Sequence, residues 1–260
     1  LNKPDTKDVD AALAPDVLCR GEVALWFVSL REPSSTVEAA AQVLSAAEMQ
    51  RADQFQFLLH RNRFVLAHAA LRHILFIYSA FPASSIDFTI SPHGKPSLVN
   101  RNKGESGEIE FNLSHSEDLA VVAVSFGSIL GVDVEQVREM PDWPQMARQF
   151  FSDAEIAAIE RVPPHEAGMM FLRFWTRKEA LLKAMGTGLQ DDLSSFCTAA
   201  DDLDQASIVQ VPELPEEFDL FGKGEYEQGF TLRSFEVEGF VGALAVGGPV
   251  SSVRRLQWVW

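Results

Sequence analysis

Two acidic residues one position apart raise the question of chemistry. In Ile129-Leu130-Gly131-Val132-Asp133-Val134-Glu135 apolar and acidic residues alternate. As a strand this stretch turns Val132 and Val134 to one face and Asp133 and Glu135 to the other. Adjacent carboxylates repel, and a divalent cation between them removes the repulsion. Mg2+ suits the pair, since it takes hard oxygen ligands and commonly uses one or two carboxylates with substrate phosphates. A solvent-facing acidic pair is the plain alternative. In Phe174-Trp175-Thr176-Arg177-Lys178-Glu179-Ala180-Leu181-Leu182-Lys183 apolar residues recur at helical spacing, and Gly186 supplies a stop. Glu179 and Lys183 lie one turn apart and share a face, which alone is an ion pair worth about 0.2–0.5 kcal/mol. Asn112-Leu113-Ser114-His115-Ser116 packs hydrogen-bonding side chains that cannot easily all face a core. Lys95 sits between Gly94 and Pro96 in a rigid loop. Arg51, Arg61, Arg63 and Arg72 form either a solvated helix face or an anion site.

The elements that must position these groups are legible in outline. Glu22 to Val28 reads as the first strand. Ser45-Ala46-Ala47-Glu48 has the form of a capping box and opens a helical region reaching Tyr78, with a break near Phe57 to Leu59. Phe64, Leu71, Leu75 and Tyr78 mark its core stripe. Strands are expected at Ile86 to Ile90, at Phe111 onward and at Leu119 to Phe126, with a polar hairpin or loop at Asn100 to Glu108. Gln136 to Gln149, with Pro141, Trp143 and Pro144, reads as a loop. Ser152-Asp153-Ala154-Glu155 is a second capping box, for a helix reaching about Arg161 before Pro163-Pro164. The central helix spans Glu166 to Met185, closed by Gly186-Thr187-Gly188. Short strands follow at Ser207 to Val211, Gly229 to Phe235, Phe240 to Val246 and Val253 to Trp258, with acidic loops at Asp201 to Gln205 and Pro212 to Glu217. The expected division is residues 1–127 and 128–260, and the first fifteen or so residues read as a loose arm.

The 260 residues are 47% hydrophobic and 23% charged, enough apolar material for a sizeable core. The formal charge of −15, from 37 acidic and 22 basic residues, argues against non-specific binding of nucleic acid or anionic membrane. An anionic ligand therefore needs a local basic pocket. Cys19 and Cys197 lie far apart in no metal-type spacing, no segment is long and apolar enough to span a bilayer, and the polar N-terminus lacks a secretory pattern. A soluble cytoplasmic protein is expected.

Phe111 to Ser116, Gly131 to Glu135 and Trp175 to Lys183, in this order and with Gly94-Lys95-Pro96 upstream, resemble the 4'-phosphopantetheinyl transferase superfamily in its larger single-chain form. The resemblance runs from roughly Glu48 to Gly188. It implies an α+β fold of two similar lobes about a pseudo-two-fold, each a small antiparallel sheet packed on a long helix. It also implies Mg2+-dependent transfer (Mn2+ as a substitute) of the 4'-phosphopantetheine arm of coenzyme A to a serine of an apo carrier protein, by a monomer, leaving adenosine 3',5'-bisphosphate. Carried over by position, Asp133, Glu135 and Glu179 resemble the metal ligands, and Lys178 and Lys183 the pyrophosphate contacts, with Ser114 and His115 lining the same site. Lys95 resembles a lysine near the adenine and phosphates, and Arg63, with Arg51, the cations on the 3'-phosphate. Glu179 is the expected base, with Lys183 and a protonated His115 supporting catalysis.

Three carboxylates and one Mg2+ sum to about −1 and a pyrophosphate adds roughly −2, so each further cation about 4 Å away contributes about 4 kcal/mol at an effective dielectric near 20. The segment Gln136 to Gln149, with Met140, Trp143, Met146 and Arg148, is the expected carrier contact. A metal-dependent phosphohydrolase using the same carboxylates and a non-enzymatic interaction module remain open alternatives. No Gly-x-Ser-x-Gly elbow supports a serine hydrolase on Ser114 and His115, and Gly94-Lys95 lacks the glycine spacing of a phosphate loop.

Overall fold

The apolar runs become the strands of two sheets, and the long amphipathic stretches lie on their outer faces. The structure, a computed structural model, describes residues 18–79, 81–99, 109–187, 193–198, 206–209 and 229–260. The expected N-terminal arm, the Asn100 to Glu108 hairpin, the acidic loops after Asp201 and Pro212, Gly188 and the end of the Ser207 to Val211 strand lie outside those residues.

In chain order the elements are β1 (Glu22–Ser29), α1 (Ser34–Ala41), α2 (Ala46–Ala52), α3 (Leu58–Ser79), β2 (Phe88–Ile90), β3 (Pro96–Leu98), β4 (Ile109–Ser116), β5 (Leu119–Phe126) and β6 (Leu130–Gln136). They continue with α4 (Trp143–Phe150), α5 (Asp153–Arg161), α6 (Ala167–Met185), β7 (Ser207–Val209), β8 (Phe230–Val237), β9 (Phe240–Gly247) and β10 (Ser252–Trp258). The first sheet runs β10-β1-β5-β4 and the second β6-β9-β8-β7, while β2 and β3 form a separate hairpin. Pairings within the two sheets are antiparallel except β1 with β10.

Strand alternation stacks these pieces in four layers. Ala24 and Val28 of β1 face α3, in one core with Leu66, Ala70 and Leu75. Val23, Leu25 and Phe27 face the other way, onto Val132, Val134 and Leu244 of the second sheet. The second sheet's far side, with Ala243 and Ala245, packs on Ala180, Leu181 and Ala184 of α6. The order is helix, sheet, sheet, helix, an α+β fold of two lobes.

Both capping boxes form, Ser45 with Glu48 and Ser152 with Glu155, each worth about 1 kcal/mol. The break in the first helical region falls between α2 and α3. Two expectations are corrected. The Gln136 to Gln149 loop contains α4, because Pro144 occupies its first turn, where a missing N–H breaks no helical bond. The last strand, read with the second half, adds to the first sheet beside β1, where Val23 pairs with Val253 and Val28 with Trp258. Among the described residues no helix is long and apolar enough to cross a membrane.

Candidate active site

Gly131 sets the geometry. A Cβ at this position would lie 2.1 Å from Ala180 O and 2.3 Å from Ala184 N, so only glycine lets the backbone of α6 rest on β6. That contact brings Glu179 and Lys183 of α6 to Asp133 and Glu135, which share Gly131's face of the strand. The edge strand of the first sheet, β4, completes the group. Lys183 Nζ lies 2.6 Å from Asp133 Oδ1 and 3.1 Å from Ser114 Oγ, and Ser114 Oγ lies 2.9 Å from the same Asp133 oxygen. Ser116 Oγ lies 2.9 Å from Glu135 Oε2 and accepts the Gln136 N–H at 3.1 Å. Asn112 Oδ1 accepts the Val132 N–H at 2.9 Å. Asn112, Ser114 and Ser116 thus knit two sheet edges together.

The electrostatics follow from gathering acids with few cations. Burial raises the pKa of Asp133 in spite of Lys183 and Ser114. Burial and the charge of Asp133 raise that of Glu135. Glu179 is pushed up to about 7, by burial first and by Asp133 and Glu135, with Lys183 opposing. Asp133 Oδ2 is buried and has no hydrogen-bond partner, an acceptor that a cation could fill. Among the described residues no three His, Cys, Asp or Glu side chains gather closely enough to enclose an ion as they stand. The Lys183 ammonium pairs with the other oxygen, Asp133 Oδ1.

The other site candidates divide. His115 lies at the exposed end of β4. Its pKa is lowered, by the protein crowded around it first and then by His68, Lys183, Arg63 and Arg51, which works against the protonated form. Four basic side chains from α2, α3 and α6 nonetheless converge on it. Arg63 is held by Glu117 at 2.8 Å and Asp118 at 2.7 Å, and Arg51 lies over the Phe64 ring. Lys95 is turned to the end of α6, where Nζ donates to Ala184 O at 2.8 Å and Leu130 O at 3.2 Å, and burial lowers its pKa to about 8.

Lys178 is not brought to the carboxylates. It is wholly buried, 2.9 Å from Glu155 Oε2, donates to Leu193 O and Phe196 O, and lies 4.3 Å from the Phe196 ring centre. Adjacent helical residues point about 100° apart, so Lys178 and Glu179 cannot serve one site. Arg177, also buried, donates to Thr198 O, Ser234 and Ser207. These two cations anchor 193–198 and β7 to α6.

Sequence reasoning assigned no role to Asn112, Ser116, His68, Glu117 or Asp118. The first two could have been found, because Asn112, Ser114 and Ser116 alternate with the same period as Asp133 and Glu135 and so share a face. The pairing of Arg63 with the Glu117-Asp118 turn depends on α3 packing beside the β4–β5 hairpin and leaves no local signal.

Comparison with known proteins agrees with this arrangement. Residues 129–238 match the family model described as 4'-phosphopantetheinyl transferase superfamily, and residues 31–127 match the model described as 4'-phosphopantetheinyl transferase, N-terminal. The chain is 38% identical over 172 residues to the 4'-phosphopantetheinyl transferase HetI of Nostoc sp., covering 66% of this chain and 72% of that protein. It is 30% identical over 172 residues to 4'-phosphopantetheinyl transferase psf-1 of Bacillus pumilus, covering 66% and 70%. A 4'-phosphopantetheinyl transferase of Bacillus subtilis is 27% identical over 173 residues, covering 66% and 72%. With both lobes matched by family models and the motif residues of β4, β6 and α6 meeting at one place, the chain belongs to the 4'-phosphopantetheinyl transferase superfamily and is a transferase.

Proposed function

We propose that this protein transfers the 4'-phosphopantetheine arm of coenzyme A to a serine of an apo acyl, peptidyl or aryl carrier protein. The serine oxygen bonds to the phosphorus that bears pantetheine. The bond from that phosphorus to the adenosine 5'-phosphate oxygen breaks, and adenosine 3',5'-bisphosphate leaves. The observation that carries this reading is the pairing of Asp133 with Lys183 and Ser114, with Glu135 and Glu179 near enough for their charges to act on one another, beside the cation-lined His115. Asp133, with its unpartnered Oδ2, Glu135 and Glu179 fit a hard divalent cation. They would hold Mg2+, which when bound supplies charge stabilisation on the pyrophosphate.

The chain's own groups supply the rest. Glu179, on the face of α6 turned toward Asp133 and Glu135, is the group assigned to accept the serine proton. Lys183, on the same face, offers its ammonium to a phosphate oxygen once a metal satisfies Asp133. His115 and Ser114 provide hydrogen bonds, and Arg63 with Arg51 receives the 3'-phosphate, in competition with Glu117 and Asp118 for Arg63. Lys178 and Lys95, engaged by backbone carbonyls, are read as framework. The carrier meets the segment 136–149. There Arg148 is exposed, while Trp143 covers the core edge against Phe171. Arg148→Glu should raise the carrier's KM and leave that of coenzyme A unchanged, and the reverse pattern moves the docking surface elsewhere.

The deciding experiment is the intact mass of an apo carrier after incubation with the protein, coenzyme A and Mg2+, beside an EDTA control. A gain of one phosphopantetheine, abolished by EDTA, is the expected result. Coenzyme A cleaved with every carrier left unmodified would replace this reading with a phosphohydrolase.

A further inference from the structure

We infer that Ser116 is a positioning residue for the metal site: its hydroxyl, donated across the lobe boundary, holds Glu135 in the orientation that binds a divalent cation. The inference rests on the assignment of Glu135 as a metal ligand made above. It starts from a constraint on hydrogen. Ser116 Oγ accepts the backbone N–H of Gln136 at 3.1 Å, and a backbone amide can only donate. The hydroxyl proton is therefore directed to its other partner, Glu135 Oε2, 2.9 Å away. Ser114 obeys the same rule: it accepts from the Lys183 ammonium and donates to Asp133 Oδ1.

Each serine thus ties down one oxygen of one carboxylate. For Asp133 the consequence is visible, since Oδ1 has Ser114 and Lys183 while Oδ2 is buried without a partner. For Glu135 the serine fixes Oε2 and leaves Oε1 as the oxygen to face a cation. Without this restraint the Glu135 side chain is free to take another rotamer. The restraint is stiff because both ends belong to edge strands. Bonds from residues 112, 114 and 116 of β4 reach residues 132, 133, 135 and 136 of β6 at sequence separations of 19 or 20. The two strands therefore advance in step, so the position of Ser116 is set by the same docking that places Ser114 on Asp133.

Direct metal binding tests this without turnover. Mn2+ binding to the full chain is followed by electron paramagnetic resonance for the wild type and for Ser116→Ala, Ser116→Thr and Ser116→Cys. Loss of the hydroxyl in Ser116→Ala is expected to raise the Mn2+ Kd about tenfold, the low end of what outer partners of metal ligands contribute. Ser116→Thr, which keeps the hydroxyl, should stay within about threefold of wild type. A purely structural serine would lower the melting temperature and leave the Kd unchanged, and that result overturns the inference. Should Ser116→Ala fail to fold, the order Ser, Thr, Cys carries the test, and a cysteine variant binding as tightly as the threonine variant overturns it equally. Mn2+ that binds neither wild type nor variants sinks the metal assignment itself, and this inference with it.

Discussion

The two lobes use one wiring diagram for different ends. Each has a strand, a long helix and a hairpin, with the hairpin's second strand in the middle of the three: β1-β5-β4 in one and β6-β9-β8 in the other. The pairing registers superpose position by position through the hairpins, which places Ala24 of β1 where β6 has Gly131, Trp26 where it has Asp133, and Val28 where it has Glu135. Even the partner is matched, since Trp26 Nε1 donates to Tyr78 near the end of α3 at 3.0 Å and Asp133 meets Lys183 near the end of α6. The first lobe fills the slot with an indole and a valine and becomes a hydrophobic brace. The second fills it with carboxylates, the group proposed above to do the chemistry. Pairing registers set the place, and side chains at equivalent places set the role.

The contrast breaks most sharply at the carboxylates. Glu179→Gln should lower kcat by about a thousandfold while leaving coenzyme A binding nearly intact, within the range of a lost general base. Steady-state kinetics beside coenzyme A titration calorimetry check it, and near-normal kcat removes Glu179 from that role. Next is the buried pair of the second lobe. Lys178→Met leaves Glu155 a buried carboxylate without its cation and should cost about 3–5 kcal/mol in urea unfolding.

Third is the strand–helix contact. Gly131→Ala forces α6 backbone away from β6 and should cost about 1–3 kcal/mol with loss of activity. Ala24→Gly at the matched position should cost about 0.5–1 kcal/mol and spare activity. Thermal melts of the two variants compare them directly.

The smallest effect is on pH, and its sign differs between lobes. The Glu179 carboxyl, raised to about 7, holds its proton more tightly folded than unfolded. Its stabilisation is complete below about 4.5 and is lost as the pH rises through about 7, and the raised pKa values of Asp133 and Glu135 add in the same direction. In the first lobe burial of Glu48 is outweighed by hydrogen bonds from His68, Arg72 and Ser45, which hold its pKa at about 2. That contribution is present above about 4.5 and is lost as the pH falls through about 2. Metal-free melts should therefore show a decline between pH 4.5 and 7 that Glu179→Gln reduces. A decline of the same size in that variant assigns it to other groups.

Much of the frame was legible because its causes are local. Ser45 and Ser152 with glutamate three residues on are capping boxes in sequence and in space, and Asp133 with Glu135 alternate with valines as a strand must. What escaped was whatever depends on a distant partner. Lys178 is beside Glu179 in sequence but a third of a turn away in space, and its destination, Glu155 with 193–198, is set by α5 docking on α6. Lys95 reads as a cation for a ligand until the end of α6 and the start of β6 each present a carbonyl to it. Trp143 and Pro144 resemble loop residues because a proline is informative only once its position within a helix is known. The family, in contrast, was legible as a resemblance carried by three motifs in order.

The parallel pairing of β10 with β1 has a consequence in time. Trp260 Nε1 donates to Ser29 O across 231 positions of sequence, so β1 is flanked by a strand made long after it. At ribosomal speeds of about 5–20 residues per second, β1 waits roughly 10–50 s for this neighbour. Through that interval its open edge is a template for stray strands. The sheet that contains β1 is therefore completed only after the second sheet has been made, by a long-range pairing of the kind that slows folding.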